Sequence, residues 1–168
     1  MARKQKAILI GISLLMIFIL ISAAALYTQR KNPIIGEFTE PEFDIHAVAG
    51  IPAIPDEALK YETLNLSRDL TVSLCVNLIA NKEDDKVDVY FTSDIENFAW
   101  IRIVLLNDEE EQLGSSGLLR PGEYVKSIAL KKKLPQKSGV ITAKVLSYEP
   151  NTYHSMGSAS AKIYLNIN

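Results

Sequence analysis

The sequence predicts an all-β domain, an antiparallel β-sandwich of about seven strands, preceded by one N-terminal transmembrane helix and a proline-containing linker. Three observations predict this arrangement. Residues 7–27 are apolar and contain neither a charged residue nor a proline. Residues 28–62 contain four prolines and show no sustained periodicity. From Leu64 onward, apolar and polar residues alternate in short runs, separated by turn-forming residues, which is typical of half-buried strands.

The apolar segment 7–27 has the length of a membrane-spanning helix. At about 1.5 Å per residue it extends for roughly 31 Å, which matches a hydrocarbon core of about 30 Å. Three basic residues precede it (Arg3, Lys4, Lys6) and two follow it (Arg30, Lys31). Because positive charge stays on the cytoplasmic side, this difference narrowly favours a cytoplasmic N-terminus. We therefore expect four segments: a cytoplasmic N-terminus (1–6), a signal-anchor in the cell membrane (7–27), an extracytoplasmic linker (28–62) and a sandwich domain (63–168).

A cleaved signal peptide is the alternative interpretation of the same segment. Ala23 to Ala25 satisfy the small-x-small requirement for cleavage after Ala25. The apolar run is longer than a usual signal-peptide core of about 7–15 residues, which favours the uncleaved anchor. Both interpretations place residues 28–168 outside the cytoplasm.

Composition limits the partners and the covalent chemistry of the exported part. All 20 acidic residues follow the anchor, together with 18 − 3 = 15 basic ones, so residues 28–168 carry a net charge of 15 − 20 = −5. This charge argues against binding to nucleic acid or to an anionic lipid surface. The single cysteine, Cys75, excludes an intramolecular disulfide. We expect it to be a half-buried strand residue, with an intermolecular disulfide as the alternative.

The alternation predicts strands at 70–79, 87–93, 98–106, 124–130, 140–148 and 158–167. Residues 98–106 are apolar on both faces, which predicts a central strand. The tetrapeptide Arg120-Pro121-Gly122-Glu123 predicts a turn, because proline fixes φ at its second position and glycine accepts positive φ at its third. Within the linker, residues 43–48 are apolar enough to dock on the domain or to form a short turn.

The region from Tyr124 to Ile167 resembles the E, F and G strands of immunoglobulin-like and fibronectin-III-like domains. The similar stretches are YVKSIAL, VITAKVLSYEP and SASAKIYLNI, with a Leu134-Pro135 loop between the first two. The whole chain also resembles small single-pass surface proteins of Gram-positive bacteria that present one such domain. The resemblance implies an Ig-like sandwich. The single cysteine departs from the antibody pattern, and Ile141 stands where fibronectin-like domains often carry a tyrosine.

Catalytic signatures are absent from the sequence. Nucleophilic catalysis needs a base beside the nucleophile, and the only two histidines are His46 in the linker and His154 in a polar loop. Neither a GxSxG nor an SxxK motif occurs. We therefore expect a protein that is not an enzyme and needs no cofactor.

Two loops carry the candidate binding residues. Loop 149–157 and the strand before it are rich in amphipathic side chains, which favour protein interfaces; the candidates are Tyr148, Tyr153, His154 and Met156. The alternative is that the tyrosines fold back and cover the end of the sandwich. Calcium binds flexible oxygen-rich loops, and the candidate ligands at the strand-joining tips are Asp84, Asp85, Asp88 and Asp94. Acidic tips also simply keep strand edges soluble.

Two functional classes follow. The first is a non-catalytic, membrane-anchored module that binds a protein partner or contributes to a surface or envelope assembly, such as an adhesion, pilus or transfer apparatus. The second is a surface sensor or buffer for calcium or another soluble ligand, which would use the acidic loops.

Overall fold

The computed structural model describes residues 40–67, 70–134 and 137–168. The expected cytoplasmic segment 1–6, the transmembrane segment 7–27 and linker residues 28–39 lie outside the described residues. Within the described ranges, no helix has the length and apolar character needed to cross a membrane.

The described residues form two five-stranded sheets, which confirms the all-β prediction and is compatible with a β-sandwich. The ten strands are β1 (Val48–Ala49), β2 (Tyr61–Ser67), β3 (Leu70–Cys75), β4 (Asn77–Ala80), β5 (Lys86–Ser93), β6 (Trp100–Leu106), β7 (Gln112–Ser115), β8 (Glu123–Ala129), β9 (Gly139–Tyr148) and β10 (Ser155–Ile167). One sheet has the order β1-β8-β5-β3-β2 and the other has the order β4-β10-β9-β6-β7.

A single hydrophobic core takes side chains from both sheets. On β9 the inward positions alternate strictly through Ile141, Ala143 and Val145, each at most 3 % exposed. On β6 the inward set is Ile101, Ile103 and Leu105, and Trp100 points the other way. The predicted central position of this strand is confirmed, because β6 lies between β9 and β7. Burial of alternate side chains from facing sheets is what stabilises such a fold.

The predicted strand 70–79 is in fact two strands that belong to different sheets. Strand β3 pairs with β2 and β5, whereas β4 pairs in parallel with β10. The even-numbered residues remain inward in both strands, since Leu74 and Leu78 are both buried. Val76, between them, is only half-buried, because the chain crosses from one sheet to the other there.

Strands β5 and β8 depart from strict alternation. Val125 and Ile128 on β8 are both buried although they are three residues apart. Opposite them, the register of β5 shifts between Asp88 and Phe91, where Tyr90 has a positive φ of 47°. This bulge adds a residue to one strand and changes which side chains face the core.

Residues 40–62 pack on the domain, and the compact unit extends from Glu40 to Asn168. Residues 43–48 dock on the domain, which is one of the two alternatives that the sequence predicted for this segment. The Asp44 amide donates to the Leu118 carbonyl (2.9 Å) and the Asp44 carboxylate accepts from the Gly117 amide (2.8 Å). Only glycine permits this approach, because a Cβ at position 117 would lie 2.5 Å from the Asp44 nitrogen. Strand β1 and a short 3-10 helix (Glu57–Leu59) follow.

The connections between strands collect at two opposite ends. The apolar end comprises the end of β2, the start of β3 and the loops 94–99, 116–122 and 149–154. The charged end comprises the loops 81–85 and 107–111 and the described residues 130–134 and 137–138. The ten residues of β9 separate the two ends by roughly 30 Å, at about 3.3 Å per residue.

Candidate functional site

An aromatic cluster lies at the apolar end and joins three parts of the chain that are distant in sequence. It consists of Phe43, Trp100 and Tyr153. The Trp100 ring lies 4.8 Å from Phe43, edge to face, and 5.3 Å from Tyr153, both measured between ring centroids. The guanidinium carbon of Arg120 lies 3.8 Å above the centre of the Phe43 ring. These separations are within the range in which aromatic pairs and cation–π pairs attract.

Three exposed apolar side chains lie at the same end of the sheets and form what we call the apolar rim: Ile95, Phe98 and Met156. Ile95 is 78 % exposed and Phe98 is 54 % exposed. Phe98 and Met156 line one small surface cavity of about 100 Å³, together with Leu70 and Ala99. Isolated exposed apolar residues are ordinary, but several of them at the same end of a domain make that end a candidate interaction surface.

The turn 120–122 connects the cluster with the rim. Arg120 covers Phe43, whereas Gly122, two residues later, borders Ile95. The predicted turn is confirmed, since Gly122 has a φ of +77° and the Glu123 amide donates to the Arg120 carbonyl (3.1 Å). Arg120 is further held by an ion pair with Glu123 (3.3 Å). The turn therefore brings Ile95 of the rim near the aromatic cluster.

A buried asparagine fixes the loop that carries Ile95 and Phe98. The side-chain nitrogen of Asn97 donates to the Thr71 carbonyl (2.7 Å), and its oxygen accepts from the Thr71 amide (2.9 Å). Asn97 thus bonds to the backbone of β3 as a neighbouring strand would. Asp94 holds the start of the loop by accepting from the Glu96 amide (2.8 Å). The exposed apolar side chains accordingly project from a rigid loop.

The four residues that the sequence proposed for partner binding all lie at the apolar end. Tyr148 is directly opposite Trp100 in the pairing of β9 with β6. Tyr153 has a positive φ of 56° and packs against Trp100, so it partly covers the end of the sandwich. His154 is exposed and its Nδ1 lies 3.7 Å from a Glu149 carboxylate oxygen. Met156 is exposed at the start of β10.

Sequence reasoning missed most of this surface. Phe43 was assigned to a linker, and Arg120 was interpreted only as part of a turn. Neither residue carries a local signal that places it beside Trp100. The exposure of Ile95 and Phe98 had a weak signal, since both stand among polar residues after a strand.

Three of the four candidate calcium ligands, Asp84, Asp85 and Asp88, line one surface cavity, whereas the fourth, Asp94, lies elsewhere. Asp84 and Asp85 precede β5, whereas Asp94 follows its last residue, so the eight-residue strand separates them by roughly 26 Å. Asp88 accepts a hydrogen bond from Ser127 and pairs with Lys126 (3.4 Å). One ion cannot be bound by residues at both ends of a strand, which corrects the expectation that neighbouring tips would supply them. The described ranges contain no group of three or more His, Cys, Asp or Glu suited to a metal.

The charged end is composed of acidic and basic loops that neutralise one another. Lys132 pairs with Glu111 (2.8 Å), and a hydrogen bond from Lys132 lowers the pKa of the Glu111 carboxyl. Asp84 and Asp85 line a groove with Lys131–Lys133. Lysines beside these carboxylates disfavour a bound cation there.

Cys75 is more deeply buried than the sequence predicted. It lies at the end of β3, opposite Tyr61 on β2, and has no exposed surface. Burial raises the pKa of its thiol from 9.0 to about 11, and the nearby Asp88 carboxylate contributes to this shift. An intermolecular disulfide through Cys75 would require the folded domain to open.

Comparisons with known proteins do not assign this surface. No protein-family model matches the chain. No curated protein matches it either.

Proposed function

We propose that the chain is a non-catalytic, membrane-anchored module that presents an Ig-like β-sandwich outside the cytoplasm and binds a protein partner through its apolar end. The observation that carries the proposal is the location of the aromatic cluster and the exposed apolar rim at the same end of the sheets. Such a module would contribute to a surface or envelope assembly.

The strand distribution supports the Ig-like assignment. In Ig-like domains, strands B and E share one sheet, and strands C, F and G share the other. Here β5 and β8 are neighbours in one sheet, while β6, β9 and β10 are neighbours in the other. The sequence resemblance assigns β8, β9 and β10 to strands E, F and G. The single-pass anchor rests on the composition of residues 7–27 and on the flanking charges.

The chemistry of the apolar end favours a protein as the partner. Interface centres are rich in aromatic residues, methionine and arginine, and poor in lysine and carboxylates. The apolar end offers Trp100, Tyr153, Met156 and Arg120 around Ile95 and Phe98. Lys131 to Lys133 and the acidic loops 81–85 and 107–111 lie at the opposite end, although Asp94, Glu96 and Glu149 are carboxylates of the apolar end itself. A partner surface with a matching apolar patch and a carboxylate near Arg120 would fit.

Two substitutions in the rim test this function without disturbing the fold. Ile95→Ser and Phe98→Ser remove exposed apolar surface and leave the core intact. The free energy of unfolding of the full chain should therefore stay within about 0.5 kcal/mol of the wild-type value. Recovery of the partner by affinity purification from membranes should fall at least tenfold.

Val140→Ser is the matched control, because Val140 is also exposed (44 %) but borders the charged end. The control should recover the same partner as the wild type. Equal losses for all three variants, or no loss for the rim variants, would exclude the apolar end as the binding surface.

A further inference from the structure

Strand β10 has one edge that is only half used. Along one side it pairs with β9 from Ser155 to Leu165. Along the other side it pairs with β4, but only from Tyr164 to Ile167. No described strand pairs with residues 155–163 on that side. Among the described residues, the edge next to β4 is therefore unpaired over the first two-thirds of the strand; β2 lies near β10 but does not pair with it.

The backbone directions identify which groups are free. The amides of Tyr164 and Asn168 donate toward β4, to the carbonyls of Val76 and Ala80. Because alternate residues of a strand point to opposite sides, the even-numbered residues of this regular stretch point to the open edge. The N–H and C=O groups of Ser158, Ser160 and Lys162 thus extend the row that β4 uses, and no described strand bonds to them.

Natural edge strands are shielded by charges, prolines or bulges. The open edge of β10 has such features only at the limits of its regular segment, a bulge between Ser155 and Gly157 and the charge of Lys162. Strand β2, the outer strand of the other sheet, carries Glu62 and a bulge between Asn65 and Ser67. On β10, residues 158–161 contain no charge and no proline. The ammonium group of Lys162 is turned to the neighbouring strand, where it donates to the Thr142 hydroxyl (2.8 Å).

We propose that β10 of one chain pairs with β10 of a second copy, antiparallel and with Ser160 at the two-fold axis. This register places Ser160 opposite Ser160 and Ser158 opposite Lys162 of the other copy. All three outward-pointing residues then exchange both backbone hydrogen bonds with their counterparts. The proposal is independent of the partner surface, which consists of other residues.

The segment complements itself under this symmetry. A two-fold interface requires one surface to match its own copy. The three free residues are evenly spaced about Ser160, so no group of the three is left unpaired. The two Lys162 residues are four positions apart along the strands, or roughly 14 Å, and do not oppose each other. The bulge between Ser155 and Gly157 ends the regular segment before the second strand reaches β4.

Disulfide trapping tests the register directly. Residues that face each other in a hydrogen-bonded antiparallel pair have Cα atoms about 5.5 Å apart, which suits a disulfide. In the purified full chain in mild detergent, Ser160→Cys should form a covalent dimer on mild oxidation. Ser158→Cys alone and Lys162→Cys alone should not, whereas a mixture of these two, differently tagged, should form the mixed dimer. The native Cys75 is fully buried and does not interfere.

A proline variant supplies a second measurement. The Ser160 amide faces the open edge, so Ser160→Pro removes no hydrogen bond between β10 and β9. Its molar mass in solution should fall to that of a monomer, while Ser160→Ala stays dimeric. Failure of Ser160→Cys to cross-link, or equal cross-linking of all three single-cysteine variants, would overturn the pairing. In cell membranes, Ser160→Cys could instead cross-link to a different protein and not to a second copy of the chain. That result would assign the edge of β10 to the other protein and would also overturn the proposed pairing.

Discussion

Asn97 determines how the loop between β5 and β6 is held. Its side chain forms two hydrogen bonds with the backbone of Thr71 and a third with the hydroxyl of Ser93 (3.2 Å). The asparagine is 6 % exposed, so these groups have little access to water. The sequence gives no sign of this role, because an asparagine before an apolar run also suits an ordinary turn.

Replacing Asn97 by alanine should therefore destabilise the domain strongly. The change leaves the part-buried N–H of Thr71 without a partner and removes one of the two donors to its C=O, which keeps only the Asp94 amide (3.3 Å). A part-buried group without a partner costs about 1–3 kcal/mol, and we expect a loss of this size in urea unfolding. Asn65→Ala, which removes an exposed bond to the Thr71 hydroxyl, should cost about 1 kcal/mol or less. Similar costs for the two variants would contradict the proposed role of Asn97.

Cys75 should be unreactive in the native protein. The thiolate is the reactive form, and burial keeps the thiol protonated up to a pH of about 11. A maleimide reagent should modify Cys75 only after denaturation. Rapid modification of the native protein would mean that the end of β3 opens readily.

The same burial predicts a loss of stability at high pH. Since the folded-state pKa is raised, the unfolded chain loses the Cys75 proton first, and stability falls as the pH rises from about 9 to about 11. This fall should be less steep in Cys75→Ala when the free energy of unfolding is measured across that range. An unchanged slope would contradict the assignment to Cys75.

At the scale of elements, alternation in the sequence predicted the positions of the later strands well. Strands β5, β6, β8 and β9 begin and end within a few residues of the predicted ranges. The pattern could not reveal that residues 70–80 cross between sheets, because the inward residues stay even-numbered on both sides of Val76. Nor could it reveal β1 and β2, since local periodicity does not record the docking of Asp44 on Gly117.

The crossing predicts a contrast within β3. Leu74 is 1 % exposed and lies in the common core, so Leu74→Ala should cost about 2–5 kcal/mol, as buried leucine truncations do. Thr71 lies on the outer face, and Thr71→Ala should cost about 1 kcal/mol or less. Urea unfolding of the two variants measures the difference. Equal costs would mean that the inward and outward faces of β3 are wrongly assigned.

At the scale of the whole molecule, the aromatic cluster and the apolar rim lie at one end of the sheets, whereas Lys131 to Lys133 lie at the other end. Sequence reasoning directed attention to loop 149–157, which lies at the apolar end, because aromatic residues in a loop are a local signal. It could not assemble Phe43, Trp100 and Arg120, whose proximity depends on tertiary packing. For the same reason, sequence reasoning placed Asp94 in one candidate calcium site with Asp84 and Asp85, which lie at the opposite end of β5.

The topology of the chain in the membrane is tested by protease accessibility. We expect residues 28–168 to lie outside the cytoplasm, attached by the helix 7–27. Protease added to intact cells should remove the domain and leave a short membrane-bound fragment. A domain that remains protected, or that is released whole into the medium, would contradict the anchored topology.

The most direct test of the central claim is site-specific photo-cross-linking in intact cells. A photoreactive amino acid at position 98 should yield a covalent adduct with one partner protein, because Phe98 lies on the apolar rim. The same amino acid at position 140, which borders the charged end, should yield none. No adduct at position 98, or the same adduct at both positions, would contradict partner binding through the apolar end.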